Sequence, residues 1–208
     1  MLVEIYSDIV CPWCYIGERR FDTALARFES QVDVRFRPFQ LDPNAPENPI
    51  PLKRYLASRF GPGAERMTQH VGLVAGAEGL EIDWDRALAV NTRNAHRLLG
   101  LAEREYGAAV QRALARELFA LHFARGADVA DHDTLAKAAA QVGMDHDRAL
   151  VYLASGEGER ELEAELDRAH RLGIRAVPTF VIDGQPAVQG AQSPELFLEV
   201  LRQAATAE

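Results

Sequence analysis

The chain has 208 residues, 48% hydrophobic and 26% charged, with a net charge of −8 at pH 7. The hydrophobic share is ample for a buried core and argues against disorder. The acidic balance argues against a nucleic-acid or anionic-membrane partner, for which a basic patch is expected. No run approaches the ~18 apolar residues of a membrane span, and Glu4 and Asp8 interrupt the first apolar stretch, so it does not read as a signal peptide. The expectation is a cytoplasmic protein built as one domain with a large insertion, or as two small domains.

Residues 2–6 read as a buried strand, and residues 12–29 as an amphipathic helix with Ile16, Phe21, Leu25 and Phe28 near one stripe. Between them lies Cys11-Pro12-Trp13-Cys14, which holds both cysteines of the chain. A strand that feeds a helix through a Cys-x-x-Cys turn is the arrangement of a thioredoxin-like redox site. Cys11 falls at the helix N-cap and Pro12 at the first helical position, where a missing N–H costs nothing. The free N–H groups of the first turn, those of Trp13 and Cys14 included, are then expected to point at the Cys11 sulfur and favour the reactive thiolate. The helix dipole adds about 0.3–1 kcal/mol. Cys14 lies one turn further in, more buried and placed to close or resolve a disulfide. A zinc site would need about four ligands; there is no second cysteine pair and the six histidines are scattered, so no metal is expected.

Residues 32–39 alternate apolar and polar at strand period, which completes β-α-β. Pro43, Pro46, Pro49 and Pro51 mark a loop over 42–51. From Leu52 to about Gly173 the pattern is helical: Leu52–Phe60, Ala64–Glu78, a helix from an Asp85 cap to Tyr106, and a continuation to Arg125. Short helices follow at 135–142 and 149–154, then a long one over 159–172 with Gly173 just past its end. The triplets Asp131-His132-Asp133 and Asp145-His146-Asp147 each precede a helix, so their aspartates read as caps rather than metal ligands. The period then returns to two over 176–182. Asp183-Gly184 is a hairpin turn, 186–189 the returning strand, and Ser193-Pro194 the start of a last helix to Ala204.

The chain resembles the DsbA branch of the thioredoxin superfamily, and within it the FrnE-like subgroup. The residues that carry the resemblance run from Ser7 to Gly17, then Pro38-Phe39-Gln40-Leu41-Asp42-Pro43, Asn91 to Arg97, Val177-Pro178-Thr179-Phe180 and Gly190 to Pro194. The resemblance implies an α/β, thioredoxin-like fold (β-α-β and β-β-α halves) with a large all-helical insertion. Residues 1–45 and 158–208 would form the thioredoxin-like domain and 46–157 the insertion. It implies that Pro178 is cis and faces the cysteines, leaving the carbonyl and amide of Val177 free to pair with an extended substrate backbone. It also implies a weaker oxidant than the strongest periplasmic member, whose histidine is missing from Pro12-Trp13. Glu18 is a departure, since the subgroup often carries a basic residue there; Glu18 is expected to face water, where it does little.

The reading is therefore a thiol–disulfide oxidoreductase. Cys11 attacks, Cys14 resolves, and Pro178, Val177, Trp13 and Pro12 hold the partner, a protein or small-molecule thiol or disulfide. No cofactor is required; glutathione or another low-molecular-weight thiol is the candidate electron partner, and the chain would be a monomer or homodimer. Asp8, His96 and Asn91 are candidates for a supporting role. Asp8 serves equally as a turn residue, and His96 and Asn91 read better as interhelical or surface groups. Two rivals stand beside this reading. One is a glutathione-dependent isomerase or transferase of the hydroxychromene-carboxylate isomerase or kappa type, relatives that use serine at the position of Cys11. The other is a non-enzymatic helical interaction module.

Overall fold

The structure, a computed structural model, describes residues 1–46 and 48–206. In chain order the elements are β1 (Leu2–Ser7), α1 (Pro12–Leu25), β2 (Asp33–Pro38), β3 (Ile50–Pro51), α2 (Leu52–Phe60), α3 (Gly63–Ala77), β4 (Leu88–Ala89), α4 (Arg93–Tyr106), α5 (Ala108–Phe123), α6 (His132–Gln141), α7 (His146–Ala154), α8 (Glu159–Arg171), β5 (Thr179–Ile182), β6 (Gln185–Gln189) and α9 (Pro194–Thr206). The main sheet has the order β2-β1-β5-β6. β1 runs parallel to β2, with Leu2 opposite Asp33 and Ser7 opposite Pro38, and antiparallel to β5. This is the α/β, thioredoxin-like architecture that the sequence implies.

Central β1 is covered on both faces, which is why it reads as an almost unbroken apolar run. Alternation sends Val3 and Ile5 to one side, where Phe21 of α1, Phe180 of β5 and Phe197 of α9 meet edge-on or tilted. Tyr6 goes to the other side, against Ala169 of α8, Ile174 and Val181. Glu4 shares that second face. Its buried carboxylate accepts 2.7 Å hydrogen bonds from Arg37 and, bidentately, from Arg168. Burial pushes its pKa up, but the two guanidiniums outweigh burial and hold it below the ordinary carboxylate value. The hairpin between β5 and β6 turns on Asp183 (φ 45°) and Gly184 (φ 84°), the pair of positive φ angles that a two-residue hairpin needs.

Between β2 and α8 the chain is mostly helical, and α4 and α5 lie directly on β2. One apolar core runs from Val3 and Phe21 through Leu98 and Phe119 to Tyr152. Asp131 and Asp145 are caps, accepting the N–H groups of Thr134 (2.8 Å) and Arg148 (2.7 Å). Two details differ from expectation. The segment is not wholly helical: β3 and β4 form a two-residue antiparallel pair, Ile50 opposite Ala89. The helix expected from Asp85 begins only at Arg93. Residues 83–89 are held by partners far away in sequence, with Asp83 N–H on the Phe123 carbonyl (2.7 Å) and Leu52 N–H on the Ala87 carbonyl (2.9 Å). Ala87 and Ala89 are both buried, at strand spacing. Asn91 then accepts the Arg93 N–H (2.9 Å) and lets the helix start there.

Candidate active site

Cys11 ends a tight turn from β1, its N–H on the Asp8 carbonyl (3.0 Å), and caps α1 with extended backbone angles. Pro12 is the first helical residue, and the N–H groups of Cys14 (3.0 Å) and Tyr15 (3.3 Å) return to the Cys11 carbonyl. Both cysteines are free thiols and buried. The Cys11 sulfur makes no capping bond to the helix, contrary to expectation. A protonated thiol is a donor, and this one points across to the Val177 carbonyl, 3.8 Å away. That carbonyl, expected to be free, is therefore engaged while Cys11 is reduced.

The peptide bond between Val177 and Pro178 is cis, and the loop is fastened by Gly190 N–H to the Pro178 carbonyl (2.8 Å) and Thr179 Oγ1 to the Ala176 carbonyl (2.7 Å). Gly17, in the buried second turn of α1, is what lets the loop come so close: a Cβ there would lie 2.9 Å from Pro178 Cγ. Gly17→Ala is expected to push Pro178 away from Cys11 and to destabilise the fold by about 1–3 kcal/mol, as overpacked sites do. Urea denaturation measures it, and an unchanged midpoint would mean that Gly17 does not seat this loop.

Cys11, Pro12, Trp13 and Val177 share one wall of a cleft of about 350 Å³ with Asp8. The facing wall is apolar and comes from the segment after β2: Leu41, Leu56, Phe60, Met67, Trp84 and Val90 among others. Leu41, Phe60 and Met67 remain well exposed there. Asp42, Tyr55 and Arg59 bond to one another at its rim. Cys14 does not line the cleft. It is 2% exposed, and burial, with Cys11 adding to it, pushes its thiol well above the ordinary value; the Asp8 N–H and the Ser7 hydroxyl pull the other way.

The supporting candidates divide. Asp8 is buried, its Oδ2 accepting the Leu41 N–H (2.8 Å) and its Oδ1 3.3 Å from His96 Nε2. It therefore acts as a turn residue and also lines the cleft. His96, read from the sequence as an interhelical or surface group, is buried, and its partner is Asp8 of the active-site turn. Asn91 bonds Gln40, the Pro43 carbonyl and the Arg93 N–H, and so ties the loop after β2 to α4. Glu18 corrects the expectation: it does not face water. It is 5% exposed and pairs with Arg116 at 2.7 Å and Arg112 at 3.5 Å on α5, so the charge is met there by cations distant in sequence. Ser7 and Gly17 are the site residues that sequence reasoning missed, although a glycine inside a helical pattern is itself a signal of close approach.

The model of the DSBA-like thioredoxin domain family matches residues 2–202. The chain is 34% identical to a probable DsbA oxidoreductase from Streptomyces coelicolor, whose crystal structure it fits with a TM-score of 0.91 over 100% of this chain and 91% of that one. Two structures share the fold alone. The cytosolic disulfide reductase DsbM from Pseudomonas aeruginosa is 17% identical (TM-score 0.70, 100% of both chains) and has also been solved with GSH. A 2-hydroxychromene-2-carboxylate isomerase is 15% identical (TM-score 0.69, 100% of both chains).

Proposed function

The chain belongs to the DSBA-like thioredoxin domain family, and we propose that it exchanges disulfides through Cys11 and Cys14 in the manner of the FrnE-like subgroup. The observation that carries this is the placement of the two thiols. Cys11 sits on the cleft wall against the Val177 carbonyl, and Cys14 is buried behind it. An incoming disulfide reaches Cys11 first. When Cys11 becomes part of a mixed disulfide it loses its S–H, so the Val177 carbonyl is released to pair with a substrate backbone, as Pro178 has no N–H to compete. Trp13 and Pro12 supply apolar contact beside the sulfur. Residues 46–157 would bring most of the facing wall to a thioredoxin-like body made of 1–45 and 158–208, which itself adds Leu41.

The glutathione-bound DsbM structure supports a small thiol as the electron partner, in a cytoplasmic setting where disulfides are transient. The isomerase reading is less well supported. The resemblance ties that reading to serine at the position of Cys11, whereas this chain has two thiols there. Glutathione-dependent isomerisation that survived loss of Cys14 would revive it.

The test is an equilibrium titration against glutathione buffers, followed by the fluorescence of Trp13 and Trp84, which both line the cleft, and by thiol alkylation. A reversible two-electron transition is expected. A midpoint above about −230 mV would make the protein a donor of disulfides, and one near about −270 mV a reductase. No transition would overturn the redox reading.

A further inference from the structure

A second cavity, of about 330 Å³, lies between β2, α4 and α8; it shares no lining residue with the cleft, and Ser7 and His96 line it. We propose that Ser7 carries the proton of Cys14 to and from this cavity, where His96, held by Asp8, receives it. The inference rests on the redox reading and concerns its resolving step.

In that step Cys14 must give up its proton before its thiolate can attack Cys11 Sγ in the mixed disulfide. The Cys14–Cys11 S–S bond forms, the bond from Cys11 to the substrate sulfur breaks, and the substrate leaves as a thiolate with the electron pair. The cleft side offers no ready way out, because Cys14 is 2% exposed, the substrate sits over Cys11, and the Asp8 carboxylate on that wall is held by the Leu41 N–H and His96. Ser7 ends β1 directly behind. Its hydroxyl lies near enough to the Cys14 sulfur to favour the thiolate, is buried, and has no hydrogen-bond partner among the described residues. A hydroxyl both donates and accepts. It can take the Cys14 proton while passing its own into a cavity with room for several waters at about 30 Å³ each.

His96 supplies an imidazole on that wall, its Nε2 3.3 Å from Asp8 Oδ1. The other charged groups of the wall are Arg37, Arg97, Glu103, Arg104, Glu161 and Glu165. Arg37 is committed to Glu4 and Glu103, and Arg97 to the carbonyls of Tyr152, Leu153, Ser155 and Glu157. His122 feels the Asp8 charge from α5. Glu4 is no substitute for Ser7: it lies three residues earlier on β1, hence on the opposite face, bonded to Arg37 and Arg168.

Stopped-flow reaction of the reduced protein with dithiobis-nitrobenzoate separates the steps, since Cys11 attack releases the first coloured thiolate and Cys14 resolution the second. Ser7→Ala should slow the second phase relative to the first by about tenfold or more, general acid–base assistance being worth at least that. Ser7→Thr should restore it. His96→Gln, the independent arm should Ser7→Ala not fold, should displace the pH profile of the second phase. Second phases that match wild type at every pH, or two phases slowed equally, would overturn the relay. A wild-type protein that released no second thiolate would overturn the redox reading as well, so the two failures are told apart.

Discussion

Cys14→Ser should accumulate a covalent adduct on Cys11, one glutathionyl group per chain after exposure to oxidised glutathione, while steady-state disulfide exchange collapses. Cys11→Ser should form no adduct, with turnover falling on the order of a thousand-fold or more, as loss of a nucleophile does elsewhere. The asymmetry follows from position. Cys11 lines the cleft and Cys14 does not. Burial keeps the Cys14 thiol protonated well beyond its ordinary range, so it is a poor first attacker and becomes reactive only when the mixed disulfide lies against it. Intact-protein mass spectrometry reads the adduct and an insulin-reduction or glutathione-coupled assay the turnover. A Cys14→Ser variant that turned over at the wild-type rate would sink the two-cysteine mechanism and favour a one-thiol reaction.

What could be read from the sequence was local. The Cys11–Cys14 turn, the Asp131 and Asp145 caps and the Asp183-Gly184 hairpin are set by residues within a few positions of one another, and the structure has them where the pattern puts them. What could not be read depends on partners far along the chain. Glu18 looked like a solvated helix residue because its cations, Arg112 and Arg116, lie about a hundred positions away. The start of α4 was misplaced because 83–89 answers to Phe123 and Leu52 rather than to its own periodicity. Gly17 could be flagged as a helical glycine, but that it makes room for Pro178 required both in space. Ser7 stood in the sequence only as the first residue of a matching block, with no role attached: that it lines a cavity and acts on Cys14 required the fold.

Lowering the pH from 7 to 5 should cost the protein about 2 kcal/mol of stability through one residue, His122. It is 0% exposed on α5, neither ring nitrogen has a hydrogen-bond partner among the described residues, and its ring meets Phe123 edge-on at 4.5 Å. Burial depresses its pKa to about 4, the Asp8 charge opposing only weakly. A histidine in an unfolded chain titrates near ~6.5. Between those two values the unfolded chain binds the proton and the folded one does not, so stability is full above about 6.5 and is lost as the pH falls toward 4. The depressed carboxylates, Glu4 and Asp42 among them, act in the same direction but start from ordinary values of 4.5 and 3.8, so the span from 7 to 5 mainly reports the histidine. Urea denaturation at both pH values should give wild type the loss and His122→Leu little of it. The leucine variant should be at least as stable at pH 7, because a buried imidazole without partners itself costs about 1–3 kcal/mol. If His122→Leu lost as much as wild type, the acid sensitivity would have to arise elsewhere and the buried imidazole would not be its source.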